Sequence, residues 1–356
     1  MTNEINIAMI ADVGYLLPTV VAIRSLMEQV NNDVKYQLYL IMDKECQDEM
    51  NMYYEISYPN NVEIHYVLPD FDEDISSFSH SYVSKAALSK FCLAELLGNC
   101  DKALYIDGDV LFHSDLINLY STDIENYYAA VVKDMPSYIW GDISELGLSD
   151  YFNSGMMLLN LKKMRQDRIK DKLFYYKKNE VRHIFMDQDA FNMVFKDQII
   201  FVSPIYNFIS ACFDCASKED VLKFYGISQD DLCNIEIDHI AGKQKPWKDA
   251  SSEKTIEWFT YVNNNREVAI CLSNYQKTVT AQQQDIIKQL TQQQQDIIKQ
   301  LVQQQDVIKQ LVEQSERHLE MISACEKRLS EAENKISRLD NIFFIRLWRN
   351  IRGYMN

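Results

Sequence analysis

The chain has 356 residues, 47% of them hydrophobic, enough for a sizeable core in one large domain or two. A formal net charge of −16 at pH 7 argues against a general polyanion binder, so nucleic acid is not an expected partner, although one local basic patch would still be compatible with it. Met1-Thr2-Asn3-Glu4 carries no basic leader, Ile5 to Ala11 is too short to span a membrane, and eight cysteines in this length fit reduced thiols, so a cytoplasmic protein is expected.

In the first third, strand-like runs (Ile5 to Ile10, Tyr36 to Met42, Val62 to Leu68, Ala103 to Ile106) alternate with helical stretches opened by Pro18 and by the Ser84 region. Such alternation implies right-handed crossovers and a mostly parallel sheet, in which ligands bind at the carboxyl ends of the strands. That places Asp12, after the first strand, on the same rim as Asp107 and Asp109. Apolar runs at Ala129 to Val132 and Met156 to Leu161 continue the sheet, and helical patterns cover Leu161 to Lys178 and Ala190 to Phe195.

The run Leu104-Tyr105-Ile106-Asp107-Gly108-Asp109 delivers two carboxylates to a strand end, with a glycine between them. Hard divalent cations take carboxylate oxygens and share their remaining positions with phosphates, so a metal diphosphate site is one reading and a plain turn the other. Tyr151-Phe152-Asn153-Ser154-Gly155 leads into a buried strand and brings an amide to the same rim. Met186-Asp187-Gln188-Asp189 precedes an apolar helical run and reads equally as an N-cap with solvated acids. Asp238-His239-Ile240-Ala241-Gly242-Lys243-Gln244-Lys245-Pro246-Trp247 offers an imidazole, a glycine for close backbone approach and a lysine. Cys212 and Cys215 form a lone CxxC pair, and without a second pair a zinc site is not expected.

The composition changes after residue 275. Gln-Gln-Gln-Asp-Ile-Ile-Lys-Gln-Leu starts at Gln282, recurs from Gln293, and recurs again from Gln303 with Val307 for isoleucine. The offsets of eleven and ten average close to a coiled-coil period, and farther on Ile322, Leu329, Ile336 and Phe343 share one heptad position with Cys325, Ala332 and Leu339 at the other. With no glycine or proline between residues 273 and 352, a self-associating coiled coil is expected rather than a glutamine-rich linker. The segment from Ile342 to Tyr354 interleaves Phe, Trp and Ile with Arg346, Arg349 and Arg352, which fits either the end of that coil or a helix on an anionic membrane surface.

Together these segments resemble the family 8 retaining glycosyltransferases, the group of bacterial lipopolysaccharide galactosyl- and glucosyltransferases and of glycogenin. Ile10-Ala11-Asp12 with Tyr15, Cys100 through Asp109, Tyr151 through Gly155, Asp187-Gln188-Asp189, and His239 through Trp247 carry the resemblance, in order, over residues 5 to 260. It implies a GT-A type nucleotide-sugar-binding fold over residues 1–275, followed by a coiled coil (276–340) and a basic amphipathic segment (341–356) that the family pattern lacks. It further implies Asp107, Asp109 and His239 as ligands of Mn²⁺ or Mg²⁺. Asp12, Tyr15, Lys90, Gly108, Gly242 and Lys245 would join Asp107 and Asp109 around the UDP part of the donor. Asp134, Asn153, Asp187 and Gln188 would surround the transferred hexose, from UDP-glucose or UDP-galactose, on its way to a saccharide acceptor. Catalysis would rest on Gln188, Asp187, Asn153, Asp134 and Lys245. Gly14 and Lys90 stand where the family more often has asparagine and arginine. Two other readings compete: an inactive scaffold whose coiled coil is the working part, and a metal-dependent nucleotidyltransferase or phosphatase, which leaves Asn153 and His239 to Trp247 without a purpose.

Overall fold

A computed structural model describes residues 4–42, 46, 56–69, 88–140, 143–179, 187–242, 245–247 and 253–353. The helical stretch expected to open near Ser84, and Lys243-Gln244, lie outside them. The apolar runs become β1 (Glu4–Ala11), β2 (Lys35–Met42), β3 (Val62–Val67), β4 (Ala103–Ile106), β5 (Val110–Phe112), β6 (Ala129–Lys133), β7 (Phe152–Leu159), β8 (Ile199–Phe201), β9 (Phe208–Ile209) and β10 (Ile237–His239). Seven of them form the main sheet, in the order β3-β2-β1-β4-β7-β6-β8. Its pairs are parallel except the two made by β7.

Side chains of β1 alternate between two cores. Ile5, Ile7, Met9 and Ala11 enter one, while Ala8 and Ile10 enter the other. A sheet covered on both faces needs apolar residues at nearly every position, which is why this strand reads as a continuous run. Helix α1 (Leu16–Met27) covers the first face, with Pro18 in its opening turn, where a missing N–H removes no helical bond. The second face is covered by a 3₁₀ turn at Lys90–Cys92, by α2 (Leu161–Gln166), α3 (Ile169–Asn179) and α4 (Gln188–Val194). The single helical pattern expected over Leu161 to Lys178 is interrupted at Asp167-Arg168, where Arg168 takes φ 53°. Helix α5 (Glu253–Asn264) contributes Trp258 and Val262 to the first core, and the opening turns of α6 (Arg266–Gly353) contribute Val268 and Cys271.

Two departures from regular pairing shape the rim. In an all-parallel sheet the start of β7 would lie at the opposite end from Asp107. Because β7 runs antiparallel to β4, Met156 pairs with Ile106 and the backbone N–H of Asp107 donates to Gly155 O at 2.7 Å. The second departure is in the β6–β7 ladder. Val131 faces Met157, and a regular ladder would then set Lys133 against Gly155, but it faces Phe152. Asn153, Ser154 and Gly155 occupy the excess, bulged out just where β6 ends and Asp134 follows it.

A three-stranded sheet, β5-β10-β9, branches from the main one directly after Asp109. In the antiparallel β5–β10 pair His239 is opposite Val110, and Ile240 N donates to Asp109 O at 2.8 Å. A histidine far along the chain is thus fixed beside the strand-end carboxylates. By the same alternation Asp238 faces the other way, where it lies near His113 and Glu257.

The chain divides into two compact units, Met1–Lys277 and Thr278–Asn356. Within the second, α6 runs unbroken to Gly353 and every residue from 284 to 338 is exposed. The basic segment is helical to Gly353, and its side chains, with residues 354–356, are outside the described set. Among the described residues no helix is long and apolar enough to cross a membrane. All eight cysteines are free thiols, and five are buried; burial pushes the Cys212 thiol up to about 12.

Candidate active site

Asp107 and Asp109 leave β4 side by side, His239 enters from β10, and one ligand atom from each lies within 4.8 Å of the other two. Asn153 and Gly155 come from the bulge in β7, Asp134 from the end of β6, Asp187 and Gln188 from the start of α4. The sequence offers Asp187 as an N-cap with solvated acids. It makes no capping bond; its Oδ2 instead meets Lys90 Nζ at 2.8 Å and accepts from Ser154 Oγ at 3.0 Å, and Asp189 is fully buried, accepting from Tyr151 at 2.6 Å.

A relay of amides runs between two groups whose hydrogen-bonding roles cannot change. A carboxylate can only accept, so Asp134 Oδ2 takes Gln188 Nε2 at 2.8 Å and Asn153 Nδ2 at 3.2 Å. A backbone N–H can only donate, so Asn153 Oδ1 accepts Gly155 N at 2.9 Å, and also Asn207 Nδ2 at 3.1 Å. Asn207 therefore turns its oxygen toward His239 Nδ1, 2.8 Å away. That oxygen requires a proton on Nδ1, so in the tautomer that can bind a metal Nε2 is the bare lone pair, and it faces Asp109 Oδ1 at 3.3 Å. Two acceptors face each other, and Asp109 Oδ1 has no hydrogen-bond donor although the residue is buried. Both call for a cation, and the donor set of two carboxylates and an imidazole suits Mn²⁺ or Mg²⁺.

Two buried lysines complete the charge pattern. Lys245 Nζ sits 2.5 Å from Asp109 Oδ2 and donates to Ile240 O at 2.6 Å. Burial opposes ionisation of Asp109, but the Lys245 ammonium beside it outweighs this and holds the carboxyl well below the usual carboxylate range. Lys90 Nζ lies between Asp107 (3.2 Å) and Asp187 (2.8 Å), over the ring of Tyr105, whose hydroxyl donates to Asp107. Burial works against charge on Lys90, and the two aspartates override it, raising its pKa above the ordinary lysine value. One ammonium thus ties the cation side of the site to the Asp187–Gln188 side. Asp12 accepts from Tyr15 N at 3.1 Å, turning the chain into α1, and Tyr15 meets Trp247 edge-on at 5.9 Å. Burial, with Asp109, Asp107 and Asp12 nearby, pushes the Tyr15 hydroxyl up and keeps it neutral.

Glycine is required here by space. A Cβ on Gly155 would lie 2.3 Å from His239 Cε1 and 2.7 Å from Asp107 Oδ2, so only glycine lets backbone underlie the cluster. At Gly108 the close approach is to α1, where a Cβ would strike Thr19 Oγ1. Gly242 takes φ 105°, in the region that favours glycine, as the chain turns from β10 toward Lys245. The structure thus brings Asp107, Asp109, His239, Lys90, Lys245, Asp134, Asn153, Asp187 and Gln188 into one charged and hydrogen-bonded cluster; Asp12 is held to Tyr15 beside it, and Gly108 and Gly242 contribute through the backbone that carries its members. Sequence reasoning missed Asn207, Ser154 and Tyr105. Asn207 stands in Ile205-Tyr206-Asn207-Phe208 with no motif around it, and only the β9–β10 pairing, Phe208 opposite Asp238, reveals that it flanks His239.

The glycosyl transferase family 8 model matches residues 6–251. A putative glycosyltransferase of Haemophilus influenzae is 28% identical over 254 residues, covering 69% of this chain and 74% of its own length. The lipopolysaccharide 1,2-glucosyltransferase of Escherichia coli K12 is 24% identical over 271 residues, 74% of this chain and 79% of its own. Among solved structures, galactosyltransferase LgtC in complex with donor and acceptor sugar analogues superimposes with a TM-score of 0.61 at 21% identity, over 74% of this chain and 96% of that one. The fold is therefore of the GT-A type that the sequence implied. The chain belongs to glycosyl transferase family 8, and its chemistry is the transfer of a sugar from a nucleotide donor to a saccharide acceptor.

Proposed function

We propose that this protein is a retaining hexosyltransferase that moves glucose or galactose from a UDP-sugar to a lipopolysaccharide-type saccharide. The reading rests chiefly on one observation, the convergence of Asp107, Asp109 and His239 beside the Asp134–Asn153–Gln188 network on a single rim. The lipopolysaccharide glucosyltransferase similarity supports the acceptor class. Breaking the anomeric bond leaves a nucleoside diphosphate, and a divalent cation held by Asp107, Asp109 and His239 would act as Lewis acid for that leaving group. Lys245, released from Asp109, is the chain's own cation for the distal phosphate. Asp12 and Tyr15 would hold the uridine.

On the sugar side, Gln188 has its amide oxygen engaged by Asn153 Nδ2 (3.2 Å) and Ser154 N (3.1 Å), and its nitrogen by Asp134. A neutral amide so tied is a poor nucleophile beside the carboxylates that form glycosyl-enzymes, which favours front-face attack by the acceptor with retention. Gln188 then positions the anomeric centre, and Lys90 keeps that side in register with the cation side. An inactive scaffold gives no reason for so many buried polar groups to converge. Calorimetry with UDP-glucose and UDP-galactose tests the reading: binding is expected with Mn²⁺ and lost in excess EDTA. Equal affinity in EDTA would remove the metal from it.

A further inference from the structure

The long helix carries a feature independent of the donor chemistry. Its large aliphatic side chains from Ile286 to Ile336 are each 52–63% exposed, a contiguous apolar face on a helix too narrow to be stable alone. The repeat offsets of eleven and ten close on twenty-one residues, which is three heptads, so the second step restores the register that the first one shifts. One unbroken frame then runs along the helix. Ile287, Leu301, Ile308, Ile322, Leu329 and Ile336 share its first seam position, and Leu290, Ile297, Leu311 and Cys325 its second.

Polar residues in the seam, and charges beside it, say what covers this face. Gln294 and Gln304 occupy seam positions, and slipping two copies by one heptad would set them against Leu301 and Leu311, burying amides without partners. In register, glutamine meets glutamine. The flanks are segregated by charge: Arg328 and Lys335 lie on one side of the seam, Glu326 and Glu333 on the other. In a parallel pair each flank residue faces the opposite flank of the next heptad, so Arg328 meets Glu333 of the partner subunit. An antiparallel pair centred here would set acid against acid and base against base. We propose that α6 associates in parallel and in register with α6 of a second copy of this chain.

Cys325 gives the test, because in a parallel, in-register seam its thiol approaches its own counterpart at a distance a disulfide can bridge. The full chain carrying Cys233→Ser, which removes the other exposed thiol, is oxidised with copper phenanthroline; two thiols give up two protons and two electrons to the oxidant and one S–S bond forms. A covalent dimer is expected on a non-reducing gel, and Cys325→Ser should abolish it. Moving the thiol to the outer face, with Cys325→Ser and Ser330→Cys, should cross-link far less. Sedimentation at about ten micromolar should show at least two copies, Glu333→Arg should weaken them, and adding Arg328→Glu should restore them. A monomer in sedimentation overturns the proposal. So does an assembly in which Cys325 fails to cross-link, in which Ser330→Cys cross-links equally well, or in which the charge reversal changes nothing.

Discussion

The catalytic rim and the long helix break the same rule in opposite directions. The rim buries ionisable groups, with Asp109 only 6% exposed, whereas the helix exposes aliphatic ones along its length. Each departure is unstable without something the chain alone does not provide. For the rim, where Lys245 and Lys90 pair with three of the aspartates but leave Asp109 Oδ1 without a donor, the proposed occupants are a cation and an anionic leaving group. For the helix it is apolar surface of matching period. The lesson is that misplaced polarity identifies a site and its sign tells the chemistry of the occupant: buried carboxylates call for a cation, exposed leucines for another helix.

The largest effect should come from removing the charge that most clearly breaks the rule. Asp109→Asn keeps the shape of the side chain but removes the carboxylate that faces both His239 and Lys245. Glycosyl transfer should fall on the order of a thousandfold while the circular dichroism spectrum is retained. Retained activity would mean that the buried charge is structural and the contrast with the helix false. Next in size is Gln188→Ala, expected to lower kcat by roughly a hundredfold through loss of positioning, with donor affinity little changed. A loss confined to donor affinity would place Gln188 in ground-state binding instead.

A smaller, more diagnostic change is Asn207→Ala. Without the acceptor at Nδ1, His239 is free to carry its proton on the nitrogen that should face the metal, and Mn²⁺ affinity should drop roughly 10- to 100-fold. Asn207→Asp should recover most of it, because a carboxylate also accepts that proton. Titration calorimetry with Mn²⁺ alone reads both variants; if alanine and aspartate behave alike, the amide relay does not set the ring.

The two regions were unequally legible. That residues 276–340 form one helix could be read locally, because repeated aliphatic spacing and the absence of glycine and proline are properties of the segment itself and need no knowledge of what packs where. At the rim, the spacing of Asp107 and Asp109 at a strand end leaves a metal site and a plain turn both open, and only the family resemblance, carried by several short motifs in order, gives them roles together with Asn153 and His239. What escaped was set by topology. The antiparallel course of β7 and the bulge opposite Lys133 decide that Asn153 and Gly155 reach the cluster. A side chain such as Asn207, recruited only because β9 pairs with β10, leaves no trace in the local pattern. Asp187 stays open for the converse reason: an acid before an apolar helix reads as well as a cap as it does as a site residue, and only the tertiary structure supplies Lys90 and Ser154 as its partners.

The smallest expected effect is the one that separates the regions most sharply. If the helix contributes assembly and the rim contributes chemistry, a chain ended at Lys277 should hydrolyse its donor within about twofold of the full-length rate. The position of the cut matters, because α6 belongs to both units. Its first turns bury Val268 and Cys271 in the core that covers α1, and Glu267 accepts from Ser57 N at 3.0 Å and pairs with Arg24 at 3.3 Å. A chain ended at Asn265 loses all of these, on the order of 3 kcal/mol of apolar burial alone, and should melt several degrees lower. The two truncations therefore bracket the boundary: the longer should keep both its melting temperature and its donor hydrolysis, the shorter should lose stability first and activity with it. Should the Lys277 truncation lose donor hydrolysis while its melting temperature is unchanged, the exposed helix takes part in the chemistry, and the division between a region that binds a cation and a region that binds its own copy would have to be redrawn.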